Sequence, residues 1–437
     1  MVINKKVGVI SLGCDKNRVD TEKMLSVLKK TQTITADIEQ AQIIIVNTCA
    51  FLHQARKEAI EEILQVSAYK SEKLEKLIVT GCLPQKYGRE LFDSLAEADA
   101  FMGVSDYGRL QEVIDRIYAG ERVFAVGEPR SECVKARVLT TDGYAYFKIA
   151  DGCSNHCTYC LIPSIRGKYR STPMEELVEE AKSLGEVDEL IFVAQDVTAY
   201  GRDLEPERSL PQLIRAVSAL KNVRAIRLLY CYPENITEEL IREFQGNPKL
   251  IRYIDIPFQH ADDRILKLMN RKGTGEGYLA LINRLKRDIP GIAIRSTFIT
   301  GFPTEGEEEF GKLLDFIEKA KLFNAGFFKY SREEGTPAYR LDGQIAERVK
   351  TARLKKLYAL QKKIVKKNAA QLIDRIFNVY TEGFDAETLT YCGRAYFNAP
   401  DIDGKIYFFS SEPLNKGERV NVRITKADGY DLYGERI

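Results

Sequence analysis

The sequence has no apolar run of the roughly eighteen residues that a membrane-spanning helix needs, so a membrane span is not expected. Its first stretch, MVINKKVGVISLGC, holds no apolar segment of signal-peptide length, and the expected location is cytoplasmic. An excess of one charge is also missing: Lys and Arg number 65 against 63 Asp and Glu, for a net charge of +2. No global field therefore marks a nucleic-acid binder, although a local patch is compatible with this balance. Histidine is scarce, at three residues, and His260 alone reads as a structural side chain. Cysteine is the exception, with nine residues. In a reducing compartment cysteines suggest metal or catalytic chemistry before disulfides.

The 437 residues predict two to four domains. In the first, 1–120, a pattern recurs three times. KVGVISLGC, AQIIIVNTC and EKLIVTGC are each a short apolar run ending at a cysteine, and the first two lead into clear amphipathic helix patterns. This alternation predicts βα units and a parallel sheet. Loops after parallel strands open at one edge, where ligands bind, so Cys14, Cys49 and Cys82 should converge there. Residues 121–142 read as a linker. Residues 143–370 offer six strand candidates, YAYFKIA, ELIFVAQ, RAIRLLY, IRYIDIPF, IAIRSTFI and AGFFKYS, separated by helical stretches. That predicts a partial (β/α) barrel with its site at the C-terminal strand ends. A long basic helix, AERVKTARLKKLYALQKKIVKKN, leads to 371–437, whose short strands and Gly, Asp-Gly and Pro punctuation predict a small antiparallel β-barrel. Residues 372–437 carry 8 Lys and Arg and 11 Asp and Glu, a net −3.

DGCSNHCTYCLIPSIRG compresses Cys153, Cys157 and Cys160 into one loop after a strand. Thiolates are soft ligands suited to iron–sulfur clusters, zinc or copper(I). A cubane cluster usually takes four cysteines, so three would leave one iron open to an outside ligand. Cys153, His156, Cys157 and Cys160 also compose a zinc set of three thiolates and one imidazole, although adjacent His and Cys ligands suit a tetrahedron poorly. For Cys14, Cys49 and Cys82 the alternative is that cysteine is common at buried strand ends. Matching positions in three successive units favour a shared site. Cys133, Cys231 and Cys392 have no partner pattern and read as structural; Cys231 alone lies near the expected barrel mouth. Gln195 and Asp196, in VAQDVTAYG, and Gly301 and Pro303, in FITGFPTEGEEEF, fall at strand ends of the same mouth.

With these residues in hand, the whole chain resembles the radical S-adenosylmethionine (SAM) methylthiotransferase family. The C-x3-C-x2-C loop looks like the radical SAM signature, the preceding three-cysteine domain looks like the methylthiotransferase domain, and the last segment looks like a TRAM barrel. SLGCDKNRVDTE, NTCAF, VTGCLPQ, PFQHADDRILKLMNR and FITGFPTE carry the likeness. VAQDVTAYGRDL, YSREEGTPAYRL and GRAYFNAPDIDGKIYF resemble the branch that modifies an aspartate of ribosomal protein S-twelve of the small subunit. The related transfer-RNA enzymes typically read YGCQMN where this chain reads LGCDKN. GFPTEGEEEF departs from the Gly-Glu-Thr usual after the proline. The resemblance implies two 4Fe-4S clusters, one on Cys153, Cys157 and Cys160 that binds SAM, and one on Cys14, Cys49 and Cys82 that presents sulfur. It assigns no catalytic residue beyond the clusters. Gln195, Gly301 and Pro303 are expected to shape the SAM pocket. An external sulfur source and an electron donor are implied. The net negative barrel argues against transfer RNA as partner and suits a basic ribosomal protein. Methylthiolation of a transfer-RNA adenosine and a non-catalytic iron–sulfur or zinc sensor stay as alternatives.

Overall fold

The architecture follows from three blocks of strands whose burial patterns differ. A computed structural model describes residues 4–131 and 134–437; Cys133 lies outside the described residues.

The first sheet is parallel throughout, in the order Thr33–Ile34, Lys6–Ser11, Ile43–Thr48, Lys76–Gly81, Ala100–Met102, Val123–Ala125. Every residue of the central strand Ile43–Thr48 is buried. Side chains alternate faces along a strand. Ile44 and Val46 accordingly join one core with Ala59, Ile63 and Val66 of the helix His53–Ser67. Ile43 and Ile45 join the opposite core with Val113, Ile114 and Ile117 of the helix Leu110–Tyr118. Burial on both faces explains why the sequence reads as continuous apolar runs rather than an alternating pattern. The strand Val123–Ala125 lies inside the stretch read as a linker and extends this sheet. Its three residues, VFA, are too short a run to declare a strand without the partner Ala100–Met102.

The second sheet contains the six expected strands in chain order: Tyr144–Lys148, Glu189–Val193, Ile226–Leu228, Leu250–Asp255, Ala293–Thr300 and Asn324–Lys329. All neighbours are parallel. The first and last strands do not pair, so the barrel is partial. Helices fill the crossovers, and several begin at side-chain caps that satisfy otherwise unpaired N–H groups: Ser209 with Gln212 in a capping box, Thr237 and Thr274. The helix Glu347–Ala370 packs along the last strand, and its Tyr358 hydroxyl donates to the Phe327 carbonyl at 3.1 Å.

Residues 376–436 close a five-stranded barrel, which leaves no exposed strand edge. Its pairings are antiparallel except between Ile406–Phe409 and Asp431–Arg436, which run parallel. This barrel docks on the central sheet through buried charge. Arg394 Nη1 reaches Glu189 Oε2 at 3.0 Å, and the Tyr253 hydroxyl donates to Asp403 Oδ2 at 2.7 Å. Among the described residues, no helix is long and apolar enough to cross a membrane.

Candidate functional site

The first sheet places Lys6–Ser11, Ile43–Thr48 and Lys76–Gly81 side by side, with Ser11 opposite Asn47 and Thr48 opposite Gly81. Their C-terminal ends are level, so the loops bearing Cys14, Cys49 and Cys82 meet at one edge. Cys14 caps the helix Asp15–Leu28, and Cys82 opens the helix Cys82–Ser94. Two glycines make this convergence possible. Gly13 and Gly81 have φ of +94° and +95°, a region that disfavours side chains. A Cβ on Gly13 would lie 2.6 Å from Cys49 Cβ, and one on Gly81 would lie 2.7 Å from the Thr48 carbonyl.

Hydrogen bonds join the three loops. Asn17 Nδ2 donates to the carbonyls of Leu12 and Thr48 at 2.9 and 3.0 Å. Asn47 Nδ2 returns a bond to the Asn17 carbonyl at 2.9 Å, and Thr48 Oγ1 donates to the Thr80 carbonyl at 2.6 Å. All three cysteines are free thiols: Cys14 exposed, Cys49 half-buried and Cys82 buried. Burial pushes the Cys82 thiol up to about 12, opposed by the Arg166 guanidinium and reinforced by Cys49 and Cys14. Burial raises Cys49 as well.

The second triad lies in the loop after Tyr144–Lys148. The Cys160 N–H donates to the Cys157 carbonyl at 3.0 Å, and the Cys153 N–H to the Gly167 carbonyl at 3.1 Å. Thr158 is clamped from two sides: its N–H and hydroxyl donate to Met269 and Leu268 carbonyls, and its own carbonyl accepts from the Ala338 N–H. Asn270 Nδ2 donates to the carbonyls of Asn155 and His156. Burial pushes Cys153 up to about 11 and Cys160 up to about 12, with the neighbouring cysteines adding to both. His156 is exposed at φ +51° and contributes its carbonyl to this loop.

Both sets suit a group that brings compensating positive charge, because burial opposes thiolate formation without one. Among the described residues, no group of three or more His, Cys, Asp or Glu is placed to hold a single metal ion. One zinc ion needs all its sulfurs about 2.3 Å from one point. A cubane distributes its ligands over separate irons and fits a wider set of thiols.

The other expected residues fall in different surroundings. Gln195 lies beside the second triad's loop. Its Nε2 donates to Asp151 Oδ1 at 3.1 Å, while its buried Oε1 has no partner. Such an acceptor is costly unless a ligand or water completes it. Asp196 Oδ2 accepts from Asn155 Nδ2 at 2.9 Å, which braces the cysteine loop. Gly301 faces elsewhere: its N–H donates to Glu305 Oε2 at 2.8 Å, and a Cβ there would lie 2.4 Å from Lys350 Cγ. Pro303 is buried in the same turn, and the intervening Phe302 packs in one cluster with Tyr159 of the cysteine loop. His260 is fully buried, with Nδ1 accepting the Asp262 N–H at 3.0 Å, a structural role.

Two arginines escaped the sequence reading. Arg271 stacks over the Tyr232 ring at 3.9 Å and donates to the Pro257 carbonyl at 2.7 Å. Burial opposes its charge, but Tyr159, Tyr232 and Cys157 hold its pKa above the ordinary value. Its Nε is buried without a partner. Arg166, at 1% exposure, donates to Asp151 Oδ2, Asn17 Oδ1 and Asp20 Oδ2 at 2.9, 2.8 and 3.0 Å. It joins the two cysteine loops into one buried network that runs from Gln195 through Asp151 to Asn17. PFQHADDRILKLMNR and LIPSIRG contained both residues, but a lone arginine gives no sign of burial.

Residues 6–103 match the Uncharacterized protein family UPF0004, residues 147–317 the Radical SAM superfamily, and residues 373–437 the TRAM domain. The ribosomal protein uS12 methylthiotransferase RimO of Acetivibrio thermocellus is 47% identical, over 100% of this chain and 99% of that protein. The RimO proteins of Clostridium tetani and Geobacter sulfurreducens are each 46% identical, covering 98% and 99% of this chain and 97% and 99% of theirs. Among solved structures, the cobalamin-dependent S-adenosylmethionine radical enzyme OxsB shares the fold with a TM-score of 0.53 at 13% identity, over 84% of this chain and 56% of that one. With near-complete coverage in relatives at this identity, the chain belongs to the RimO family of radical SAM methylthiotransferases.

Proposed function

We propose that this enzyme methylthiolates an aspartate β-carbon of ribosomal protein uS12. It would hold one 4Fe-4S cluster on Cys153, Cys157 and Cys160, and a second on Cys14, Cys49 and Cys82. The observation that carries this reading is the buried network centred on Arg166, which ties both three-thiol loops to one scaffold. The names of the relatives support the substrate.

When bound, the clusters and SAM supply one-electron cleavage of SAM and a transferable sulfur. The chain's own residues supply position and exclusion of water. Gln195 presents Oε1 to a ligand donor while Asp151 fixes its amide from the other side. Thr158 and Asn270 hold the cysteine loop in place. Phe302 and Tyr159 seal its back with apolar surface, so Pro303 and Gly301 act through that wall. An external sulfur source and electron donor complete the requirement, and the cytoplasm is the fitting compartment.

We divide the chain into 1–120, a linker 121–142, 143–370 and 371–437, with the edge strand Val123–Ala125 belonging structurally to the first unit. The net −3 over residues 372–437 supports a basic protein partner over transfer RNA.

The test is anaerobic reconstitution followed by assay of methylthio transfer to purified uS12 and, separately, to transfer RNA. Modified aspartate on uS12 is expected. Product on transfer RNA alone would reject the proposed substrate, and SAM cleavage in neither case would reject the enzyme reading of these sites.

A further inference from the structure

A cavity of about 720 Å³ lies where the C-terminal barrel meets the N-terminal ends of the central strands, the opposite end from the cysteine loop. Glu189 and Leu250, the first residues of their strands, line one side, and Tyr380, Arg394, Tyr396 and Arg419 of the barrel line the other. Small-molecule sites usually enclose about 300–1,000 Å³.

The charge of this cavity is one-sided: six cations line it against a single carboxylate, Glu189. Three of the six are matched. Arg227 and Arg394 share Glu189, Arg394 also pairs with Glu382, and Arg224 pairs with Asp188 at 3.0 Å. Among the described residues, the other three meet no carboxylate. Lys249 Nζ and Arg252 Nη1 donate to the carbonyls of Leu220 and Pro290, at 2.6 and 3.1 Å. The Arg419 guanidinium has the Tyr380 ring, 5.7 Å from its centroid. Arg394, Tyr380 and Arg419 stand abreast on neighbouring strands, so their side chains leave the same face of the barrel.

A lone exposed lysine or arginine is ordinary surface. Three without a counter-charge, on walls that come from two domains, repel one another until an anion enters between them. Beside them the Tyr396 ring is 39% exposed and held edge-on by Phe397 at 5.2 Å. Arginine forks and lysine ammonium groups suit phosphate oxygens, and an exposed ring suits the face of a base. An RNA strand needs a groove that tracks its backbone, whereas this cavity is bounded by two docked domains and has the size of a nucleotide site.

We propose that this cavity binds a nucleoside polyphosphate, with Lys249, Arg252 and Arg419 taking the phosphates and Tyr396 the base. The site is separate from both cysteine triads. Because its walls belong to two domains, its occupancy strengthens the docking of the barrel.

The experiment measures binding of ATP, tripolyphosphate and adenosine to the reconstituted full chain by anaerobic calorimetry, with S-adenosylhomocysteine saturating the SAM site. A single ATP per chain is expected, with tripolyphosphate weaker and adenosine undetected. Arg252→Ala and Arg419→Ala should each weaken ATP about tenfold, the loss of one charged hydrogen bond. Both side chains are exposed and free of ion pairs, so the variants should fold as the parent does. Tyr396→Leu should weaken ATP and leave tripolyphosphate unchanged. Lys355→Ala, an exposed cation on the helix Glu347–Ala370 outside the cavity, should change neither. ATP should also raise the thermal midpoint of the parent more than that of Arg252→Ala. Absence of ATP binding, or equal binding in the parent and every cavity variant, would overturn the proposal. A single-stranded RNA decamer that displaces ATP and binds more tightly would assign the cavity to RNA and overturn the nucleotide reading.

Discussion

Lys16 Nζ sits 3.3 Å from the centroid of the Tyr230 ring, so a residue two positions past Cys14 is held against the mouth of the central sheet. Tyr230 adopts φ +61°, and its hydroxyl donates to Asp15 Oδ1 at 3.3 Å. Both partners are substantially desolvated, where a cation–π contact contributes about 2 kcal/mol. Tyr230→Leu should lower unfolding stability by roughly that amount, while Tyr230→Phe keeps the ring and should lose less. Denaturant titration of both variants measures the difference, and equal losses would assign the effect to the hydroxyl.

Removing one triad at a time should halve the iron. Reconstituted enzyme should hold about eight irons per chain. Replacing Cys14, Cys49 and Cys82 with Ala should leave about four and preserve SAM cleavage. The complementary replacement of Cys153, Cys157 and Cys160 should also leave about four but abolish cleavage. Iron and sulfide analysis with quantification of the cleaved nucleoside checks both.

Gly81→Ala should damage the first triad more than its size suggests. The new methyl group would meet the Thr48 carbonyl at 2.7 Å in a backbone region that L side chains disfavour. Strain of this kind costs on the order of 1–3 kcal/mol, and here it displaces Cys82 directly. The variant should lose stability and bind less iron at the first triad, with the second triad still loaded.

The docking of the C-terminal barrel should be acid-sensitive. Burial would raise the Glu189 carboxyl, but Arg227 and Arg394 outweigh it and hold the group down to about 2. A folded-state pKa below the unfolded value, near 4.3, contributes stability fully above that value. The contribution, about 3 kcal/mol for a shift of this size, fades as pH falls from about 4.3 through about 2. Stability measured from pH 6 to pH 2 should therefore decline more steeply in the native chain than in Glu189→Gln. That variant should already be weakened at pH 7, because it leaves two buried arginines undercompensated.

The parallel sheets were legible because burial on both faces writes them as uninterrupted apolar runs, as in Ile43–Thr48. The convergence of Cys14, Cys49 and Cys82 was legible because strand-then-cysteine recurs in adjacent units. What escaped depends on partners remote in sequence. VFA becomes a strand only beside Ala100–Met102, and the parallel pairing of Ile406–Phe409 with Asp431–Arg436 is set by barrel closure. Gly301 was placed at the expected mouth, but its own contacts are with Glu305 and Lys350, because the helix Glu347–Ala370 presses onto that turn. Arg166 escaped for the same reason: nothing in LIPSIRG announces that its arginine bonds to the helix Asp15–Leu28 of the first domain.

That arginine also imposes an order on biosynthesis. A chain made from its N-terminus presents all three cysteines of the first sheet well before residue 166 leaves the ribosome. Until then Asn17 and Asp20 have no guanidinium to bind, and the core around Cys82 lacks Leu161 and Ile165 of the second loop. Arrival of the second loop closes it. The nascent enzyme thus has an early interval in which the Cys82 thiol is reachable from outside, and the completed fold, which buries Cys82 while leaving Cys14 exposed, ends that interval.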